Sequence, residues 1–376
     1  MTDRERILAI LDHRAPDRLP WIPRLKLWYQ ARRITGTMPQ KWRDLSLREI
    51  ERALGVGTPA REGTYCEVEL DGVECVERSE DGRSITEYHT SRGTVRAVMR
   101  TSETLERQGL PGRLEEYLLK QPRDYRVWEY VLEHTVWKPR YDAYRTYDEE
   151  IGDEGLPMVR GGDVPLHEFA QALAGYENAF FQLADYPEEV EHLLEVMHVV
   201  QRERHWPVMA DSPVRLFLHG LHLSSQFTPP HLFERYITPY YRELMPYMHE
   251  HGKYVAMHAD ADTSQILGHI EEAGWDMVEC FTTAPMVPLT MEQARDEWGT
   301  RIVIWGGIPS NLLAPSVPEE EFRAYMQRLL DIIAPGDAFI LGVADNVMPD
   351  SVIDRIAWVS ELVEERGNYP VTRKTL

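Results

Sequence analysis

The chain has 376 residues, 43% of them hydrophobic, enough to bury a large core, and no run approaches the ~20 apolar residues of a membrane helix. Its 41 basic and 62 acidic side chains leave a formal charge of −21, a field that repels phosphate backbones and argues against a nucleic-acid partner. The three cysteines, Cys66, Cys75 and Cys280, lack the close spacing of a structural zinc site. The charged start Met1-Thr2-Asp3-Arg4 has no signal-peptide core, so a soluble, cytoplasmic protein is expected, with no membrane association.

A first helix is predicted from Asp3 to Leu11, with Ile7, Leu8, Ile10 and Leu11 on its apolar face. Trp21-Ile22-Pro23-Arg24-Leu25 then reads as a first strand. Ser46-Leu47-Arg48-Glu49 has the Ser and Glu spacing of a capping box and starts a second helix. Between residues 66 and 100, alternating segments are punctuated by Asp71-Gly72, Asp81-Gly82 and Arg92-Gly93. They read as an antiparallel β meander inserted over a barrel, with Cys66 and Cys75 on adjacent strands.

From about Gly155, strands and helices alternate. The strands are Met158 to Arg160, Val214 to Leu218, Tyr254 to Met257, Met277 to Phe281, Ile302 to Trp305 and Ala338 to Leu341. The helices include His231 to His249, Thr263 to Ala273, Pro318 to Ile333 and Ser351 to Glu365. Such repeated βα units demand a parallel sheet. The unbroken series favours a (β/α)8 TIM-type barrel forming one domain over residues 1–376. Gly55-x-Gly57-x-x-Ala60 has neither the strand nor the helix of a nucleotide fingerprint.

In a parallel barrel the functional groups gather where strands end. Those positions hold Asp163, His219 and His222, His258-Ala259-Asp260, Glu279-Cys280, Gly306-Gly307 and Asp345-Asn346. In extended backbone His258 and Asp260 project to one side. With Asp345 from a later strand they form a candidate metal site with an open position; the same residues also read as an aspartate orienting a buried histidine and a loop cap. His219 and His222 are further ligands, acid/base groups or core histidines. Arg24 could hold an anionic substrate group, with Trp28 as flat apolar surface or simply as packing. Gly306-Gly307 allows close backbone approach, under a ligand or in a tight turn.

The chain resembles the uroporphyrinogen decarboxylase superfamily, which holds haem-pathway decarboxylases and metal-dependent methyltransferases serving corrinoid proteins. The resemblance is carried by Arg4 to Leu8 with Asp17-Arg18-Leu19-Pro20, Pro229 to Tyr240, Gly252-Lys253 leading to His258, Gly274-Trp275-Asp276, Gly306-Gly307-Ile308-Pro309 and Phe339 to Gly342. It implies a barrel with its cleft at the strand C-termini. The decarboxylases use an N-terminal arginine pair; Arg24 matches the first position and Trp28 occupies the second. The methyltransferases hold zinc with a His-x-Cys pair and a later cysteine; His258 matches the histidine, while Asp260 and Asp345 stand where the thiolates would be. Two carboxylates make a harder centre, suited to polarising an oxygen.

The leading expectation is therefore methyl transfer. A divalent metal, zinc first, sits at His258, Asp260 and Asp345; Glu279 and His219 assist proton transfer; Arg24, Trp28, Asp163 and His222 face the small-molecule substrate. The chain has no Asp-x-His-x-x-Gly corrinoid motif, so the corrinoid belongs to a separate protein. The alternative is decarboxylation of a carboxylated pyrrole or aromatic substrate, with Arg24 on the carboxylate; a third reading is a barrel that binds without catalysing. A homo-oligomer is compatible with the sequence.

Overall fold

In a computed structural model, residues 1–107, 109, 110 and 112–373 are described. Among these residues, twelve strands form three sheets. The first six are β1 (Cys66–Leu70), β2 (Glu74–Glu80), β3 (Arg83–Thr90), β4 (Gly93–Arg100), β5 (Arg113–Glu116) and β6 (Thr135–Pro139). The other six are β7 (Met158–Gly162), β8 (Leu216–Leu221), β9 (Tyr254–His258), β10 (Met277–Phe281), β11 (Val303–Pro309) and β12 (Phe339–Ala344).

Strands β7 to β12 make one parallel sheet in sequential order. Sequential neighbours mean that every crossover returns in the same sense, with no topological switch point. Side-chain alternation divides the two faces. Along β8, Leu216 and Leu218 join a cluster with Met158, Ala256, Met277, Val303, Trp305 and Ile340, contributed by all six strands. Phe217 faces the opposite way, into a larger cluster shared with the surrounding helices. Ile7, Ile10 and Leu11 of the first helix, Asp3–Leu11, pack onto the first of these clusters.

Backbone bonding continues beyond both sheet edges. At β12, Leu341 donates to Pro20 O at 2.9 Å and Ile22 donates to Leu341 O at 2.9 Å. From there Gly57 donates to Trp21 O at 3.0 Å, and Met158 of β7 donates to Ala60 O at 3.1 Å. Thus the expected first strand is an extended segment with a single bridge, Trp21 to Leu341. Pro20 and Pro23 explain this, since neither has an N–H to offer a ladder.

The second predicted helix is Leu47–Leu54, with the Ser46/Glu49 capping box formed. The segment read as one helix from His231 to His249 contains a π-helical stretch at Phe233–Ile237 ahead of Thr238–Glu250.

The inserted region departs from the expected meander. Strands β2 to β5 do form a four-stranded antiparallel sheet. However, β1 pairs with β6, Cys66 opposite Pro139 and Leu70 opposite Thr135. The ladder runs on as Asp71 donates to His134 O at 2.9 Å, where helix Pro122–Glu133 ends. That helix delivers β6 beside β1, so Asp71-Gly72 links two sheets instead of closing a hairpin. Cys66 and Cys75 consequently lie in different sheets and all three cysteines are free. This region has its own core, where Val95, Tyr125, Trp128 and Val131 meet Leu193 and Met197 of helix Pro187–Val200. Among the described residues, no helix is long and apolar enough to cross a membrane.

Candidate functional site

At the C-terminal end of the parallel sheet, β9 stops at His258 and β10 places Glu279 directly beside it in register. Nδ1 of His258 donates to Glu279 Oε2 at 2.5 Å. That bond fixes the ring orientation and leaves Nε2 on the other side, 3.4 Å from Asp260 Oδ2. Asp260 in turn accepts from His222 Nδ1, with both carboxylate oxygens at 2.7 Å. The rings of His222 and His258 meet edge to face, 4.9 Å between centroids. Glu279 and His258 are buried, whereas the His222 side chain is 43% exposed. The row therefore leads from the interior to solvent.

Three non-glycine residues here adopt left-handed backbone: His222 at φ 59°, Cys280 at φ 57° and Asp345 at φ 63°. Each such residue costs on the order of 1–3 kcal/mol and persists only where its surroundings enforce it. At Cys280 the cause is a bulge, since the β10–β11 register jumps between Glu279 and Phe281. A regular strand would send Glu279 and Cys280 to opposite faces. The bulge turns the thiol back to the same side, 3.0 Å from Glu279 Oε1. It also drives the Phe281 backbone against β11: a Cβ on Gly306 would lie 2.8 Å from Phe281 O. The close approach expected at Gly306 is thus made by a neighbouring strand, and Gly307 likewise faces the Phe339 ring.

Two guanidinium groups close the inner end. Arg61 donates to both oxygens of Glu279 at 3.0 and 3.2 Å. Arg24 donates to Cys280 Sγ at 3.1 Å and to Asp345 O at 3.3 Å, and it pairs with Asp345 Oδ1 at 3.5 Å. Burial works to raise the Glu279 pKa, but Arg61, His258 and Arg24 outweigh it and hold the group well below the usual carboxylate range. Burial likewise opposes an imidazolium at His258, yet Cys280, Glu279 and Asp260 carry its pKa well above the ordinary value. Asp260 is desolvated too, and its bonds from His222 and His258 bring it far down.

Among the described residues, two sets of ligand atoms are close enough for one cation, each within 4.8 Å: His222, His258 and Asp260, and His258, Glu279 and Cys280. They differ in surroundings. The second set carries Arg61 on its carboxylate and Arg24 on its sulfur, which repel a cation; among the described residues, no guanidinium is bonded to a ligand atom of the first.

The other expected residues join neither set. Asp345 sits beside Cys280, whose Sγ donates to its backbone O at 3.2 Å, while its carboxylate is turned to Arg24 and accepts from Asn346 at 2.7 Å. Trp28 does not reach a ligand surface; it is buried in the main core, edge to face with Trp42 at 5.8 Å. Asp163 is buried and committed to Val164 N, Leu221 N and His167 Nδ1. It ties β7 to β8, and its backbone O accepts from Gln201 Nε2 at 3.2 Å. His219 is also buried, bonded to Tyr241 OH at 2.9 Å and Tyr240 OH at 3.3 Å. Desolvation lowers its pKa to about 4, so it is neutral at pH 7 with both nitrogens occupied. Arg61, which follows no motif, escaped the sequence reading. Cys280 stands among the strand-end positions but has no role attached to it there, since strand alternation assigns its side chain outward.

A cavity of about 440 Å³ has Arg24, Arg61 and Asn346 in its wall beside Glu51, Thr58 and Tyr147; it meets the cluster at the two guanidinium groups, and His222, His258, Asp260, Glu279 and Cys280 do not line it. Its size suits a small molecule. A methyltransferase from Methanosarcina mazei has the same fold, with a TM-score of 0.53 and 13% identity over 97% of this chain and 99% of that one. No curated protein sequence matches. The description "Uroporphyrinogen decarboxylase (URO-D)" matches residues 113–366, more than half of the chain, including His258, Asp260, Glu279 and Cys280, and on that evidence the protein belongs to the uroporphyrinogen decarboxylase family.

Proposed function

We propose that this chain is a metal-dependent methyltransferase of the uroporphyrinogen decarboxylase-like superfamily. It moves a methyl group between a small methylated substrate and a corrinoid carried by a separate protein. The observation that carries this reading is the Glu279–His258 bond, which leaves Nε2 of His258 facing Asp260 and His222. A carboxylate behind a histidine is the usual way of fixing the tautomer and raising the basicity of a metal-binding imidazole. His222, His258 and Asp260 would hold the ion, and the two imidazoles with one carboxylate suit zinc. His222 takes the place that the sequence reading gave to Asp345. A divalent ion there would supply Lewis-acid polarisation of a substrate oxygen or nitrogen.

The chain's own residues supply the rest. Arg61 compensates Glu279, so the carboxylate stays charged and keeps accepting from His258. Arg24 anchors the β10 bulge and the Asp345 turn, fixing the inner wall of the cavity. The exposed edge of His222 leaves the row open on the side from which a partner protein would approach. The parallel sheet would be a closed eight-stranded barrel, with segments 20–22 and 57–60 as its two irregular strands; the backbone bonds from both sheet edges support this. The methyltransferase named above supports the reaction class.

A second reading, decarboxylation of a carboxylated pyrrole or aromatic, is favoured by one feature: Arg24 and Arg61 both line the cavity and could grip a carboxylate. One experiment separates the two. Protein purified without added metal is assayed for bound metal, then mixed with reduced corrinoid protein and a panel of methylated oxygen and nitrogen compounds. One bound divalent ion per chain and methyl-cobalt absorbance that vanishes in His258→Ala is the expected result. Carbon dioxide release that survives chelation would replace the proposal with the second reading.

A further inference from the structure

A cavity of about 620 Å³ that shares no lining residue with the metal row lies between the inserted strands and the helices after β7. Its wall holds Tyr88 of β3, Trp128 of helix Pro122–Glu133 and Trp137 of β6, together with Glu168, Gln201 and His205 from the helical segments after β7. Both helical walls are irregular. Glu168 immediately precedes a π-helical turn at Phe169–Leu173, and a second one, Gln201–His205, carries the other two residues at its ends. Such turns recur at functional sites because they shift which side chains share a face.

The polar groups are held in defined states. Gln201 Nε2 donates to Glu168 Oε2 at 3.1 Å, while its Oε1 accepts from Tyr240 OH at 2.8 Å. His205 meets Tyr65 OH at 2.7 Å and stacks on Trp137 with centroids 5.0 Å apart. Burial lowers its pKa to about 3, so it brings no positive charge. Among the described residues, no lysine or arginine lines the cavity and Glu168 is its single carboxylate. Burial pushes that group up to about 7, with Asp163 adding to the shift and Arg160 opposing it.

We propose that this cavity is a second ligand site, which takes a small protonated amine on an apolar or aromatic body. The ammonium would lie between Glu168 and the tryptophan and tyrosine rings, whose faces attract cations, and it would displace any proton held by the carboxylate. The apolar body would fill the space between Trp128 and Trp137. Nothing in this assignment depends on the metal row or on the reaction proposed for it.

The test is titration of the full chain with benzylamine and with benzyl alcohol, its neutral counterpart, followed by tryptophan fluorescence and calorimetry. Saturable benzylamine binding is expected, at least about tenfold tighter than benzyl alcohol, the effect of roughly one desolvated ion pair or cation–π contact. Glu168→Gln should weaken benzylamine about tenfold and leave benzyl alcohol unchanged, and Trp137→Ala should weaken both. Equal affinity for the two probes would overturn the assignment of a cation. Absence of saturable binding up to about 10 mM would overturn the site itself, as would a folded Glu168→Gln that binds benzylamine like the wild type. Should Glu168→Gln not fold, the wild-type probe pair and Trp137→Ala decide the matter.

Discussion

Glu279→Gln tests the electrostatic core of the candidate site. The substitution keeps the shape of the side chain, so packing is unchanged. The glutamate is 1% exposed and accepts from Arg61, His258 and the Cys280 thiol. A glutamine has one acceptor end and one donor end, so it must set an NH2 against either Arg61 or His258. It also leaves the guanidinium without its countercharge. Removing one member of a buried ion pair costs about 3–5 kcal/mol. Arg61 keeps 17% of its surface in solvent, which places the expected loss near the lower end, about 3 kcal/mol. Urea unfolding followed by far-UV circular dichroism would measure it. The companion variants are Arg61→Met and the double substitution, which removes both charges. If the pair is coupled as described, the double variant should lose at least about 1 kcal/mol less than the sum of the singles. Strict additivity, or a Glu279→Gln variant within about 0.5 kcal/mol of the wild type, would refute the reasoning.

Three other outcomes are expected. Bound metal should fall at least about tenfold in His258→Ala and in Asp260→Asn but persist in Asp345→Asn, as read by elemental analysis of the purified variants; loss in Asp345→Asn equal to that in His258→Ala would restore Asp345 as a ligand. Glu51, buried in the cavity wall, has its pKa raised from 4.5 to about 8 by desolvation, against the opposing effect of Thr58. The folded state therefore binds this proton more tightly than the unfolded chain, a stabilisation complete below about pH 4.5 and lost as pH rises through about 8. Glu51→Gln should accordingly gain on the wild type across that window, by up to about 5 kcal/mol at its upper end; a difference independent of pH would show that Glu51 is charged in the fold. Gly306→Ala should lower the thermal midpoint, because its Cβ would sit 2.8 Å from Phe281 O, a clash worth about 1–3 kcal/mol; an unshifted midpoint would mean that the β10 bulge is not rigid.

Local pattern carried much of what the sequence determined about this protein. The first helix and the Ser46 capping box depend on residues three or four apart, and the six parallel strands are apolar runs long enough to be read without knowing their neighbours. The position of His258, Asp260 and Glu279 at strand ends followed from the same periodicity. Tertiary structure alone decided the pairing of β1 with β6, because a strand's partner is set by what the chain packs beside it, here a helix some fifty residues further on. It alone brought Cys280 inward, through a bulge that breaks the two-residue alternation on which strand reading rests. It also turned the Asp345 carboxylate to Arg24, 321 residues away in sequence. Side-chain direction at a strand's end depends on one or two backbone dihedrals, and packing against distant segments sets those dihedrals against local preference.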